Sequence, residues 1–100
     1  MLFAVGCGVN PSNYATEIAE IECNLYQECD LLVAYGGTLE SCLIAVETLE
    51  QARANSETCE YNGSEANSCL QEREATTCED LSSSALNGTA SSCDEICNGN

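Results

Sequence analysis

The sequence predicts an all-α domain: a small, disulfide-stapled three-helix up-down-up bundle with a short C-terminal helical turn. Three observations lead there. Nine cysteines stand in 100 residues, at 7, 23, 29, 42, 59, 69, 78, 93 and 97, a density that in a short chain reads as a disulfide framework formed in an oxidising compartment. Apolar residues recur at helical spacing in three successive segments. Turn-forming breaks separate those segments, and no strand-like alternation of apolar and polar residues appears. A chain of this length makes one domain at most and buries a limited core, which cross-links then supplement.

The elements follow in order. Residues 8–13 form a turn-rich tether in which Ser12 or Asn13 can N-cap the first helix. Over 14–35 the positions Tyr14, Ile18, Ile21, Leu25, Cys29 and Leu32 make one helical stripe, with Glu17, Glu20, Glu22 and Glu28 mostly outside it. Ala15, Ala19, Tyr26 and Val33 make a second, shallow face able to receive another segment. Cys23 points away from the main stripe, so its partner should approach from a different side. Gly36-Gly37 stops this helix and Thr38 caps the next, whose Leu39, Cys42, Leu43, Val46 and Leu49 share a face. So short a connection makes the first two helices antiparallel neighbours. Cys29 and Cys42 both lie in their stripes beside that turn, and a Cys29–Cys42 disulfide is expected.

The stretch ANSETCEYNGSEAN (54–67) is a loop with a turn at Asn62-Gly63. Ser64 caps a third helix, EANSCLQEREATTCEDLSS (65–83), in which Ala66, Cys69, Leu70, Thr77 and Leu81 share a thin face. Arg73 falls within that face and reaches for a carboxylate at its rim. Residues 82–92 are a Ser-rich connector, and the last eight residues hold one helical turn.

Composition excludes several functions. Seventeen carboxylates face two arginines, Arg53 and Arg73, with no lysine and no histidine, for a net charge of −15. Such a surface does not bind nucleic acid, which needs basic groups, nor does it dock on anionic lipid through its own charge. The partner it suits is an unidentified protein or a cationic ligand. Without histidine the commonest general base and metal ligand are missing, and without lysine so is Schiff-base chemistry. No C-x-x-C pair is present, which argues against a zinc site or a thiol oxidoreductase. No catalytic residue, metal or cofactor is expected, and the chain does not read as an enzyme.

The N-terminal residues Phe3-Ala4-Val5-Gly6-Cys7 resemble the lipobox of a bacterial lipoprotein signal peptide, in which small residues precede a cysteine that becomes lipidated. Setting Cys7 aside leaves Cys23, Cys29, Cys42, Cys59, Cys69, Cys78, Cys93 and Cys97, an even number able to close four bridges. Residues 1–7 are therefore read as a shortened signal and lipobox, 8–13 as the tether, and 14–100 as the disulfide-rich helical domain.

IECNLYQECD in the first helix, TLESCL opening the second, YNGSEANSCL opening the third, then TTC and a late SSC resemble predicted Cys-rich lipoproteins of myxobacteria and related bacteria. That group has no assigned activity. The resemblance implies an extracytoplasmic helical domain, lipid-anchored at Cys7 in the bacterial outer membrane. It makes Cys59 and Cys97 additions to a six-cysteine layout, which implies that they pair. Cys23–Cys69 and Cys78–Cys93 complete the expected set. The alternative is a soluble secreted signalling protein, similar to the water-borne pheromones of ciliates. The acceptor patterns at Asn62 and Asn87 would then be N-glycosylation sites.

Overall fold

The computed structural model describes residues 9–82 and 92–98. Helix α1 spans Pro11–Glu28, a 3₁₀ turn η1 spans Leu32–Tyr35, and helices α2 and α3 span Leu39–Ala54 and Gly63–Glu74. A short helix α4 at Cys78–Ser82 and a second 3₁₀ turn η2 at Ser92–Glu95 follow. The described residues are a helical bundle without strands, apart from one isolated parallel bridge between Glu60 and Asn98.

Helix α1 starts earlier than expected. Its cap is Asn10, whose side chain accepts from the Asn13 N–H at 2.8 Å. Pro11 occupies the first turn, where its missing N–H and fixed φ cost nothing. Residues 11–13, placed in the tether by the sequence reading, are therefore helical, and neither Ser12 nor Asn13 is the cap. The helix also stops earlier, at Glu28, and Asp30 takes a left-handed φ of 60°. Leu32–Tyr35 then folds back, so that Tyr35 stacks on Tyr26 with ring centroids 5.0 Å apart.

Gly36-Gly37, expected to stop the first helix, instead follows the 3₁₀ turn, both residues with positive φ. A side chain at Gly36 would also collide with the Ser41 hydroxyl. Thr38 caps α2 through a reciprocal box with Ser41.

Helix α1 is the centre of the bundle, and it uses two faces. Tyr14 and Ile18 pack with Ala66, Cys69 and Leu70 of α3 and with Cys93 and Ile96 of the C-terminal segment. Ala19 and Cys23 pack with Cys42 and Val46 of α2. The second, shallower face of the sequence reading is thus the seat of α2, and Cys23 lies at its middle, fully buried. Tyr14 stands opposite Glu50, Thr16 opposite Glu47, and Cys23 opposite Cys42, so α1 and α2 are antiparallel. Val9 bonds to Gly63 at one end of α1 and Glu22 to Arg73 further along it, so α3 runs parallel to α1. The topology is up-down-up.

Three expected face positions are exposed: Val33, Leu49 and Thr77, the last of which caps α4. Val33 lies in the 3₁₀ turn and is 83% exposed, and Leu49 is 64% exposed. Along α2 the inward line continues from Val46 to half-buried Glu50 and buried Ala54, which turns Leu49 outward. The third helix is broken. Helix α3 is capped by Asn62, not Ser64, and ends at Glu74, while α4 restarts at Cys78 after a new cap. There the Asp80 N–H donates to Thr77 Oγ1 and the Thr77 N–H donates to Asp80 Oδ2.

Candidate functional site

All eight cysteines from Cys23 to Cys97 are paired, as Cys23–Cys42, Cys29–Cys78, Cys59–Cys97 and Cys69–Cys93. Cys59–Cys97 is the expected pair. Cys29–Cys42, Cys23–Cys69 and Cys78–Cys93 do not form. The reason lies in the register of α1 against α2. Because α1 ends at Glu28, ten residues separate it from α2, not a Gly-Gly turn alone. Cys42, in the first turn of α2, is thereby carried back along α1 to Cys23. By the same register position 29 faces the connection, beyond the start of α2. Cys29 instead meets Cys78, brought to that end of the molecule by α3 running parallel to α1. Cys69, on the opposite face of α1 from Cys23, bonds to Cys93 of η2.

Cys7 lies outside the described residues, as do the acceptor Asn87 and nearly all of the Ser-rich connector. The first described residue is nevertheless docked. The Val9 N–H donates to the Gly63 carbonyl at 3.3 Å, and the Tyr61 hydroxyl donates to the Val9 carbonyl. Asn62, the other acceptor, is 8% exposed, and its Oδ1 accepts from the Glu65 N–H at 3.0 Å. A glycan on Asn62 Nδ2 would have to leave from a buried side chain whose Oδ1 caps α3.

Two features bear on chemistry. The first is a polar seam through the bundle. The Tyr14 hydroxyl donates to Glu50 Oε1 at 3.1 Å, and the same oxygen pairs with Arg53 Nη1 at 3.3 Å. Arg53 also donates to the Cys93 carbonyl, joining α2 to η2. On the α3 side Arg73 Nε pairs with Glu22 Oε2 at 3.2 Å, as its place in the stripe suggested. Burial raises the Tyr14 phenol, and the charge of Glu50 and the hydrogen bond to it raise it further. Burial raises Tyr26, and then the charge of Glu22; Tyr61 is pushed up to about 12 by burial. Burial also raises the Glu22 carboxyl against the lowering pull of Arg73. Tyr14, Glu50 and Arg53 are engaged with one another, as are Glu22 and Arg73, so the seam joins helices.

The second feature is a groove of about 390 Å³ at the end of the bundle where α1 stops, lined by Cys29, Leu31, Cys78, Glu79 and Leu81. It runs along the Cys29–Cys78 disulfide. Cys78 is exposed and Cys29 half-buried, whereas Cys23, Cys42, Cys69 and Cys93 are buried. Nothing in the sequence marked this site, because it exists only once Cys29 is joined to Cys78 and α4 is separated from α3.

Among the described residues no three metal-ligating side chains stand together, and no helix is long and apolar enough to cross a membrane. The four disulfides fit an extracytoplasmic location. No family model, curated protein or solved structure matches the chain.

Proposed function

We propose that this domain is held at a bacterial cell surface by a lipid on Cys7 and serves there in binding or in structure, without catalytic chemistry. The observation that supports this most is the closure of the other eight cysteines on one another, which leaves Cys7 outside the staples. A cysteine that the fold does not use is available to an anchor. Its similarity to the lipobox cysteine, and the resemblance of the chain to Cys-rich bacterial lipoproteins, point the same way.

The docking of Val9 adds an orientation. With Val9 bonded to Tyr61 and Gly63, little slack remains between an anchored Cys7 and the folded domain. The end of the bundle holding Val9 then lies next to the membrane. The 18 residues of α1 carry the Cys29–Cys78 end about 27 Å further out. The ligand class that suits the surface is cationic, since the net charge is −15 and both arginines already pair with carboxylates.

The experiment places bacterial lipoprotein signal residues ahead of Phe3, expresses the chain in a bacterium, and supplies a labelled fatty acid. One acyl chain holds a protein only marginally and two or more hold it firmly, so the labelled protein should sediment with membranes. Cys7→Ser should abolish the label and release a domain that is still folded. Label that survives the substitution, or a variant that no longer folds, overturns the reading.

A further inference from the structure

We propose that the Cys29–Cys78 disulfide is a thiol–disulfide exchange site, selective for neutral or positively charged thiols. Exchange depends on access of a thiolate to one sulfur of the pair. Cys69 and Cys93 are shielded by the core around Tyr14 and Ile18, and Cys23 and Cys42 lie between α1 and α2. Cys59–Cys97 is half-buried and held by neighbouring backbone bonds, Glu60 N–H to the Cys97 carbonyl and Asn62 N–H to the Ile96 carbonyl. Cys78 alone among the eight is exposed, and the groove opens beside it.

Charge then selects the reagent. Glu79 lines the groove, and Glu28 and Asp30 flank Cys29 in the chain. Arg53 and Arg73 are engaged by Glu50 and Glu22. An anionic thiol meets repulsion on approach, a cationic one attraction.

A reductant thiolate attacks Cys78 Sγ, the sulfur–sulfur bond breaks, and Cys29 leaves as a thiolate that takes a proton from water. A second thiolate of the reductant attacks the mixed disulfide and releases Cys78, which is protonated in turn. The reductant, a dithiol or two monothiols, loses two electrons and becomes a disulfide. The result frees α4 from the end of α1. Cys23–Cys42 still holds α1 to α2, and Cys69–Cys93 still holds α3 to η2. The bundle should therefore survive the exchange.

The test uses the full chain with Cys7 first blocked by N-ethylmaleimide, so it does not depend on the anchor. The protein is exposed to limiting dithiothreitol, quenched with iodoacetamide, and mapped by mass spectrometry while helicity is followed by circular dichroism. Cys29 and Cys78 should take label about tenfold or more sooner than any other pair, with the helical signal retained. Rates per thiolate should be greater for cysteamine than for mercaptoethanesulfonate, and the gap should narrow in about 0.5 M NaCl. The double variant Cys29→Ser/Cys78→Ser should keep its helicity and resist the same limiting reagent. Earlier or equal labelling of another pair, loss of helix in step with labelling or in the variant, or rates indifferent to reagent charge would each overturn the proposal.

Discussion

Glu22 shows how one side chain can couple the bundle to pH. It lies half-buried between α1 and α3 with Arg73 as its partner, yet its carboxyl is raised, because loss of hydration outweighs the attraction of the guanidinium. A carboxyl raised on folding binds protons more tightly in the native chain than in the unfolded one. Its contribution to stability is therefore fully present below the ordinary carboxyl range and declines as pH rises through the folded value. Glu22→Gln has no such window. The melting temperature of the wild type relative to Glu22→Gln should fall between pH 4 and pH 7, measured with disulfides intact. A relative rise over that range would show that the ion pair dominates. Tyr14, Tyr26 and Tyr61 are raised as well and have the corresponding effect in alkali. Their unfolded phenols ionise first, so stability should be lost above about pH 10.

At the level of elements, the caps account for where each helix begins. Asn62→Ala removes the side-chain acceptor at the start of α3 and should cost about 1–2 kcal/mol in urea unfolding. A cost near zero would mean that Oδ1 does not carry the helix start. Ile18→Ala, at the centre of the face toward α3, should cost more, about 2–5 kcal/mol.

The same elements show what was legible in the sequence. Thr38 caps α2 where composition puts it, while Gly36-Gly37 marks a turn but ends the 3₁₀ segment, not the first helix. The stripe through Tyr14 and Ile18 and the face of Ala66, Cys69 and Leu70 are also real. The second, shallow face of α1 was legible as well, and through Ala19 it seats α2, but periodicity could not show which segment would fill it. Nor could it show that the stripe ends at Glu28, because Cys29 and Leu32 continue the helical spacing after the helix has stopped. That one boundary displaced the expected pairing, since disulfide partners depend on register over the whole of α1. The groove was illegible for the same reason.

Across the whole molecule, a charge of −15 opposes compaction, and both cations already sit in pairs. Salt screens such self-repulsion. The melting temperature should therefore rise when NaCl is increased from about 0.01 M to about 0.5 M, with calorimetry on the oxidised protein as the measurement. A fall would indicate that the Arg–Glu pairs contribute more than the repulsion among the carboxylates.

The segment from Cys59 to Gly63 receives both ends of the described chain: Val9 on Tyr61 and Gly63, and Ile96 to Asn98 on Cys59, Glu60 and Asn62. Pulling on residue 9 against residue 98 would load this short stretch and the covalent bond at Cys59–Cys97. The tension would pass across one end of the bundle and leave the Cys29–Cys78 end slack. A molecule strained in this way would bear force at its base while its tip kept its shape.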